Sequence, residues 1–304
     1  MTRFAKLLDL RQSDEWQKYL QTLGWKCITS SKGIKISLLK TFIGTVAKVQ
    51  KPVALLEKDL NEIEAVCKEN KAMFVKVEPG LGQDIELLEK AGYKKSYHPL
   101  TPPSTILIDL TKSEEELWAG VSKSAKYSVR RARREGVKIE IYQKPNEEIL
   151  KEFVKLSKQT QRARKVTSPT LEGLKSEVEI FGDKSYLMLA KNPADEIMVG
   201  NLSFGFGRGI WFLHGGTSDK GRRGRWGYGL FWQQFLYFKA HGYEVLDMEG
   251  VDDDRFPHFT KTWGGFSYFK EKFGGERVQF PYPYIKMLSP ALKLLQKVYA
   301  TIPL

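Results

Sequence analysis

Cysteine is nearly absent from this sequence: its 304 residues hold two, Cys27 and Cys67, far apart in the chain. A disulfide framework and a thiolate metal site are both excluded, which suits a reducing compartment. Histidine is scarce too, and His98, His214, His241 and His258 lack the close spacing of metal ligands, so each reads as structural. No Gly-x-Ser-x-Gly pattern occurs, which argues against a serine hydrolase of the nucleophile-elbow type. Asp252, Asp253 and Asp254 are not followed by the glycine turn of a calcium loop and read as a solvated acidic loop. No apolar run approaches the ~18 residues of a membrane span, and the first ten residues have no apolar core of signal-peptide length. Low-complexity tracts and short repeats are missing as well. These absences predict a cytoplasmic protein with no metal and no cofactor. Negative charge is the remaining deficit. Against 49 Lys and Arg stand 36 Asp and Glu, a formal net charge of +13. That balance favours a polyanionic partner: nucleic acid, a phosphorylated sugar or an anionic membrane surface.

Hydrophobic residues make up 41% of the chain, enough for two ordinary cores. Ser13 caps an amphipathic helix that ends at Gly24, and three β-rich runs follow at 26–30, 34–38 and 43–49. Asp59 with Glu62 forms a capping box for a helix to Asn70, and 73–77 reads as a buried strand. A helix over 84–91 leads to a strand at 93–97. Pro99, Pro102 and Pro103 then mark a boundary. Beyond it, 105–110 alternates as a strand and Ser113 with Glu116 makes a second capping box. A strongly basic helix, a strand at 137–142, a helix from Asn146 to Arg162 and another opened by Ser168 and Pro169 come next. Strands at 186–190, 197–204 and 210–217, a helix over 230–241 and strands at 243–248 and 277–280 complete the order. The second half repeats the element order of the first, which predicts two copies of one α/β fold, with domains at 1–103 plus 281–304 and at 104–280.

Two stretches are candidates for chemistry. Between the strand at 210–217 and the helix at 230–241 runs a turn with Gly224, Arg225, Gly227 and Gly229, where free N–H groups and the helix dipole can face an anion or a developing oxyanion. A strand, basic glycine turn, helix and strand is how acetyltransferase-type folds build a donor site, although surface loops share this composition. The basic helix carries Lys123, Lys126, Arg130, Arg131, Arg133 and Arg134 with Tyr127, a footprint for an RNA backbone or a solvated face. The segment 289–300 forms an amphipathic helix that either docks on its own protein or touches a membrane surface.

The chain resembles the FemABX family, the non-ribosomal aminoacyl transferases that extend the peptide stem of peptidoglycan precursors. Its motif run is Thr105-Ile-Leu-Ile-Asp-Leu110, Ser113-Glu-Glu-Glu-Leu117, Lys123-Ser-Ala-Lys-Tyr127, Arg130-Arg-Ala-Arg133 and Glu135-Gly-Val137. Further matches are Phe74 to Pro79, Phe212 to Thr217, Tyr243 to Asp247 with Gly250, and Phe269-Lys270 with Phe273-Gly274-Gly275, besides Gln21, Thr22 and Trp25 near the start. The resemblance implies two tandem acetyltransferase-like domains, with the C-terminal segment returning to the first. Aminoacyl-tRNA would be the donor and a muramyl-peptide precursor, UDP-linked or lipid-linked, the acceptor. It implies Lys26, Arg162 and Arg164 as grips for the precursor's diphosphate, Trp25, Trp211 and His214 as further substrate contacts, and Phe269 and Lys270 at the transfer centre. Two departures stand out. Thr167, Ser168 and Pro169 leave no room for the coiled-coil arm of some members, and the family's Pro-Arg-Gly-Pro turn reads Val49-Gln50-Lys51-Pro52.

Transfer from an ester to an amine needs no covalent enzyme intermediate. It needs a deprotonated amine, whose ordinary pKa is about 10.4 for a lysine-type group, and positive charge or N–H donors at the tetrahedral intermediate. Lys270 can supply the charge, and Glu78, at a strand end, is the candidate carboxylate near the acceptor amine. The expected protein is a monomeric aminoacyltransferase, cytoplasmic with contact at the inner face of the membrane left open. An acetyl-CoA-dependent acetyltransferase and a non-catalytic RNA-binding module are the alternatives.

Overall fold

The computed structural model describes residues 4, 6–162, 169–290 and 292. In chain order, α1 (Asp14–Thr22), β1 (Lys26–Thr29), β2 (Lys35–Thr41), β3 (Gly44–Gln50), α2 (Glu57–Glu69), β4 (Ala72–Glu78), α3 (Ile85–Lys90) and β5 (Lys94–Lys95) come first. Then follow β6 (Ser104–Asp109), α4 (Glu114–Gly120), α5 (Lys123–Arg134), β7 (Lys138–Gln143), α6 (Glu147–Arg162) and α7 (Leu171–Phe181). After these come β8 (Ser185–Lys191), β9 (Ile197–Phe206), β10 (Gly209–Thr217), α8 (Asp219–Gly224), α9 (Gly227–Ala240) and β11 (Val245–Asp247). The last elements are α10 (Pro257–Thr260), α11 (Gly264–Glu271), β12 (Glu276–Gln279) and β13 (Tyr284–Met287).

The chain divides into two compact units. The first comprises 1–104, 253–261 and 279–304. Its sheet has the order β1-β2-β3-β4-β13-β5. Alternation along β2, β3 and β4 sends Ile36, Leu38, Ala47, Val49, Val75 and Val77 to one side, where they pack with Leu60, Ile63 and Leu88 of α2 and α3. The opposite face carries Lys35, Ser37, Lys48, Gln50, Lys76 and Glu78, most of them buried. The second unit comprises 105–252 and 262–278, with the sheet order β12-β6-β11-β10-β9-β8-β7. Its core gathers Ile106, Ile108, Met188, Ile210 and Leu246 from the sheet, with Leu230, Phe231, Phe235 and Phe238 from α9. Each unit is a mixed α/β sheet with helices, and the described residues include no coiled-coil arm.

Several local expectations are corrected. α2 begins at Glu57, and Asp59 is not its cap: the Asp59 carboxylate accepts from the Leu56 N–H at 2.9 Å, while Glu62 instead accepts from the Ser31 N–H at 2.6 Å. α7 opens with Thr170 as N-cap, so Pro169 precedes the helix. The loop at Asp252–Asp254 is not simply solvated, because Asp253 is buried with Arg255 at 2.7 Å and the Ser104 hydroxyl at 2.5 Å. With these contacts 253–261 belongs to the first unit, although it was expected in the second. Residues 284–287, which carried no strand expectation, form β13 between β4 and β5. The helix expected at 289–300 lies almost wholly outside the described residues.

Candidate active site

The second unit is organised around a parting of strands. β10 and β11 run parallel but pair only from Gly209 to Trp211. Beyond Trp211, β10 continues to Thr217 beside β9, with a bulge between Phe212 and His214. The chain leaving β11 turns sharply. The Asp247 carboxylate accepts from the Glu249 N–H at 2.7 Å, and Glu249 takes a left-handed φ of 54°. Gly250 follows under the Trp263 ring, where a Cβ would come within 2.9 Å of the indole. The carbonyls of Glu249 and Gly250 thereby receive the Lys270 ammonium, at 2.6 and 2.8 Å.

Lys270 is only 6% exposed. Its Nζ lies 4.9 Å from the centre of the Phe266 ring and 5.6 Å from that of Phe212. The cation therefore stands where β10 and β11 separate, with Phe212 of β10 on one side and the carbonyls that follow β11 on the other. A buried ammonium placed on carbonyls keeps its charge close to any oxyanion formed there. Phe269, its neighbour on α11, packs against Tyr228, Phe231 and Phe273, with ring centres 4.6 to 5.3 Å apart. A Cβ on Gly227 would sit 3.4 Å from the Phe269 ring, so the glycine segment and the Phe269-Lys270 pair share one neighbourhood.

That segment is not a plain turn. Ser218 caps the short α8, Arg225 adopts a left-handed φ of 56°, and α9 starts at Gly227 rather than Leu230. No side chain caps α9; the Tyr228 N–H donates to the Arg225 carbonyl at 3.2 Å, and the positive dipole end of the helix faces outward beside the glycine segment. Arg225 is exposed beside this end. Gly229 has a different duty: a Cβ there would meet the Ala132 Cβ at 3.0 Å, so glycine lets α9 approach α5.

His214, beyond the bulge, bonds through Nε2 to Glu177 of α7 at 2.7 Å. Burial opposes charge on this imidazole, but the Glu177 carboxylate outweighs it and raises the pKa. Trp211 is fully buried in the core, and its indole N–H has no hydrogen-bond partner among the described residues. Its expected contact with substrate is therefore not available at the surface.

On α5, Lys123, Tyr127, Arg130, Arg133 and Arg134 are exposed, and Ala125, Ser128, Val129 and Ala132 face inward. Lys126 and Arg130 lie over the Trp118 ring at 5.7 and 5.6 Å, and Arg134 lies over Tyr127 at 5.7 Å. Arg131 differs from its neighbours: its guanidinium holds Glu135 at 2.6 Å, and Glu135 also accepts from the Trp226 indole at 2.6 Å. These two donors, Trp226 first, keep the Glu135 carboxyl below its usual range. Arg131 thus ties the basic helix to the glycine segment.

The remaining expected residues lie in the first unit or outside the described residues. Lys26 is exposed, with Nζ on the Asn70 side chain at 2.6 Å. Trp25 carries the Lys48 ammonium 4.2 Å above its ring. Glu78 accepts from the Leu100 and Thr101 N–H groups at 2.5 and 2.9 Å, from the Thr101 hydroxyl at 3.0 Å and from Gln50 at 3.3 Å. So many donors are the coordination of a carboxylate that holds a loop in place. It borders a proline-walled cavity with Lys51, Pro99, Pro102, Phe280 and Pro283. Lys51 marks the departure from the Pro-Arg-Gly-Pro turn. Its buried Nζ lies 3.8 Å over Phe280 and 3.9 Å from Asp9, with no hydrogen-bond partner among the described residues. Lys51 stood out in the sequence only as part of that departure, and Lys48 did not stand out at all, being one of many lysines. Of Arg162 only the backbone, ending α6, is described, and Arg164 lies outside the described residues. Among the described residues no group of His, Cys, Asp and Glu could hold a metal ion.

The FemAB family model matches residues 88–199, which span the motif run from β6 through α5. No curated protein matches the chain. Among solved structures, FemX superposes with a TM-score of 0.80 at 15% identity, covering 98% of this chain and 97% of its own. The C-terminal domain of a putative lysylphosphatidylglycerol synthetase from Agrobacterium fabrum gives 0.67 at 15% identity, covering 96% and 92%. A tandem GNAT protein from the clavulanic acid biosynthesis pathway gives 0.50 at 10% identity, covering 84% and 83%. The two units are thus tandem acetyltransferase-like domains. Fold along the chain, the match of residues 88–199 to the FemAB family model and the motif run all agree in a likeness to the FemABX family.

Proposed function

We propose that the protein is an aminoacyltransferase that moves an amino acid from aminoacyl-tRNA to the stem-peptide amine of a muramyl-peptide precursor. Family and fold support the coarser statement, an acyltransferase of peptidoglycan cross-bridge formation. The finer reading is carried by the position of Lys270, a buried ammonium at the parting of β10 and β11. The acceptor amine attacks the ester carbonyl, the carbonyl oxygen becomes an oxyanion, and Lys270 steadies that charge. Collapse breaks the ester bond, forms the amide, and leaves the amine's proton on the released ribose hydroxyl. Phe269 holds Lys270 by packing into the aromatic cluster around Tyr228 and Phe231. The exposed cations of α5 and the open end of α9 offer donors for the phosphates of the RNA. Trp25 and Lys26 are assigned to the precursor, and a peripheral position at the inner face of the membrane suits a lipid-linked one.

The test is single-turnover transfer of a labelled amino acid from a panel of charged tRNAs to UDP-linked and lipid-linked precursors. Lys270→Met is expected to lower the rate by about 10²- to 10³-fold, the usual loss of one oxyanion donor, with both substrates still bound. An unchanged rate in this variant would remove Lys270 from the chemistry. Saturable acetyl-CoA binding at the α9 end, with acetyl transfer and no aminoacyl transfer, would replace the donor.

A further inference from the structure

The hairpin joining β2 and β3 has an unusual tip. Thr41 pairs with Gly44, so Phe42 and Ile43 alone form a two-residue turn. Such turns are dominated by Asn-Gly, Asp-Gly and other Gly-bearing pairs, because the backbone twist favours positive φ. Here two bulky apolar residues occupy it, and their side chains bury little: Phe42 is 100% exposed and Ile43 62%. The tip is also held firmly. The Thr41 hydroxyl donates to the Gly44 carbonyl at 2.7 Å, and Gly44 lies so close to Met73 that a Cβ would meet its sulfur at 2.6 Å. Neither residue takes a positive φ, which falls instead to Gly44 at 142°, so the turn does not call for these side chains, and a fixed hairpin that shows phenylalanine and isoleucine to solvent is not explained by packing.

Its surroundings indicate what it meets. Lys40 precedes the tip by two residues. β4 starts beside it, with Ala72 in register with Thr45, so Lys71 and Lys68 at the end of α2 lie at the same end of the sheet. β1 enters there too, with Lys26 opposite Leu38, preceded by Leu23, which is 53% exposed. Lys40 and Lys71 have no acidic partner among the described residues, and Glu69 is the exposed acid nearby in sequence. An apolar point ringed by cations complements an anionic lipid surface: rings and branched chains enter the headgroup boundary while the lysines meet phosphate.

We propose that this end of the first unit, with Phe42 and Ile43 at its point, docks on anionic membranes. The proposal needs neither substrate nor catalysis, so it stands or falls apart from the transferase reading. The experiment is sedimentation of the protein with phosphatidylglycerol-containing vesicles and with neutral phosphatidylcholine vesicles, over a salt series. The wild type is expected to pellet with anionic vesicles at low salt and to release as salt rises. The double variant F42S/I43S is expected to lose at least tenfold in partitioning, while keeping its unfolding temperature and its transfer to a soluble UDP-linked acceptor. Lys40→Gln with Lys71→Gln should weaken binding only on anionic vesicles, by roughly fivefold per lysine. Equal binding by F42S/I43S, or no pelleting of the wild type, overturns the proposal. So does a concentration-dependent dimer, or tRNA binding, that is lost in F42S/I43S while vesicle binding persists.

Discussion

Two lysines on opposite units show how burial assigns different work to one side chain. Lys270 keeps its ammonium on the backbone carbonyls of Glu249 and Gly250, the place from which the proposed transfer would draw its charge. Lys48 lies on the polar face of the first sheet, and burial pushes its pKa down to about 8, only partly opposed by the Glu78 carboxylate. The folded state therefore binds this proton less tightly than the unfolded chain, whose lysine titrates near 10.4. Below about pH 8 both states carry the proton and the cost of burying the charge is fully present; it is relieved as pH rises from about 8 to 10.4. Lys48→Met is thus expected to stabilise the fold at pH 7 by at most about 3 kcal/mol, less the cation-π contact with Trp25. That advantage should vanish near pH 10.5, as urea melts at the two pH values will show. An advantage that grows with pH would refute this assignment.

At the scale of elements, α5 offers its basic face to solvent and its small residues to α9. Arg130→Ala and Arg134→Ala are each expected to weaken tRNA binding and to lower the slope of log K against log salt by close to one, measured by filter binding between 50 and 200 mM salt. Arg131→Ala should act chiefly through stability, because Arg131 holds Glu135 against the segment before α9. The sequence made α5 legible, since its charge pattern is local and its inward face follows helical spacing. Phe269-Lys270 was legible only through motif resemblance. The partners of Lys270 come from Glu249 and Gly250, and no periodicity connects a lysine to two carbonyls about twenty positions earlier. The start of α9 was misplaced because glycines at 227 and 229 read as a turn, whereas packing on Ala132 overrides their low helix propensity. Trp211 looked like a recognition aromatic beside Phe212, yet strand alternation alone would have placed one of the two inside.

At the scale of the whole molecule, the two units have separate cores, one around Val75 and Ile63 and the other around Ile210 and Phe235. Leu60→Ala and Leu246→Ala each remove a fully or nearly fully buried side chain, at an expected cost of 2–5 kcal/mol. Calorimetry should show each variant moving one transition and sparing the other, and a single transition shifted alike by both would show that the units melt together. The first unit's sheet has a further property, set by β13. Tyr284–Met287 sits between β4 and β5, so an interior strand of the N-terminal sheet is supplied from the far end of the chain. On the ribosome, β1 to β5 must wait for residues 284–287, which are made only after 105–252 is already available for collapse. Birth order and folding order are thereby inverted, and the unfinished N-terminal sheet, with β4 lacking its neighbour, is the part that a nascent-chain chaperone would have to shield.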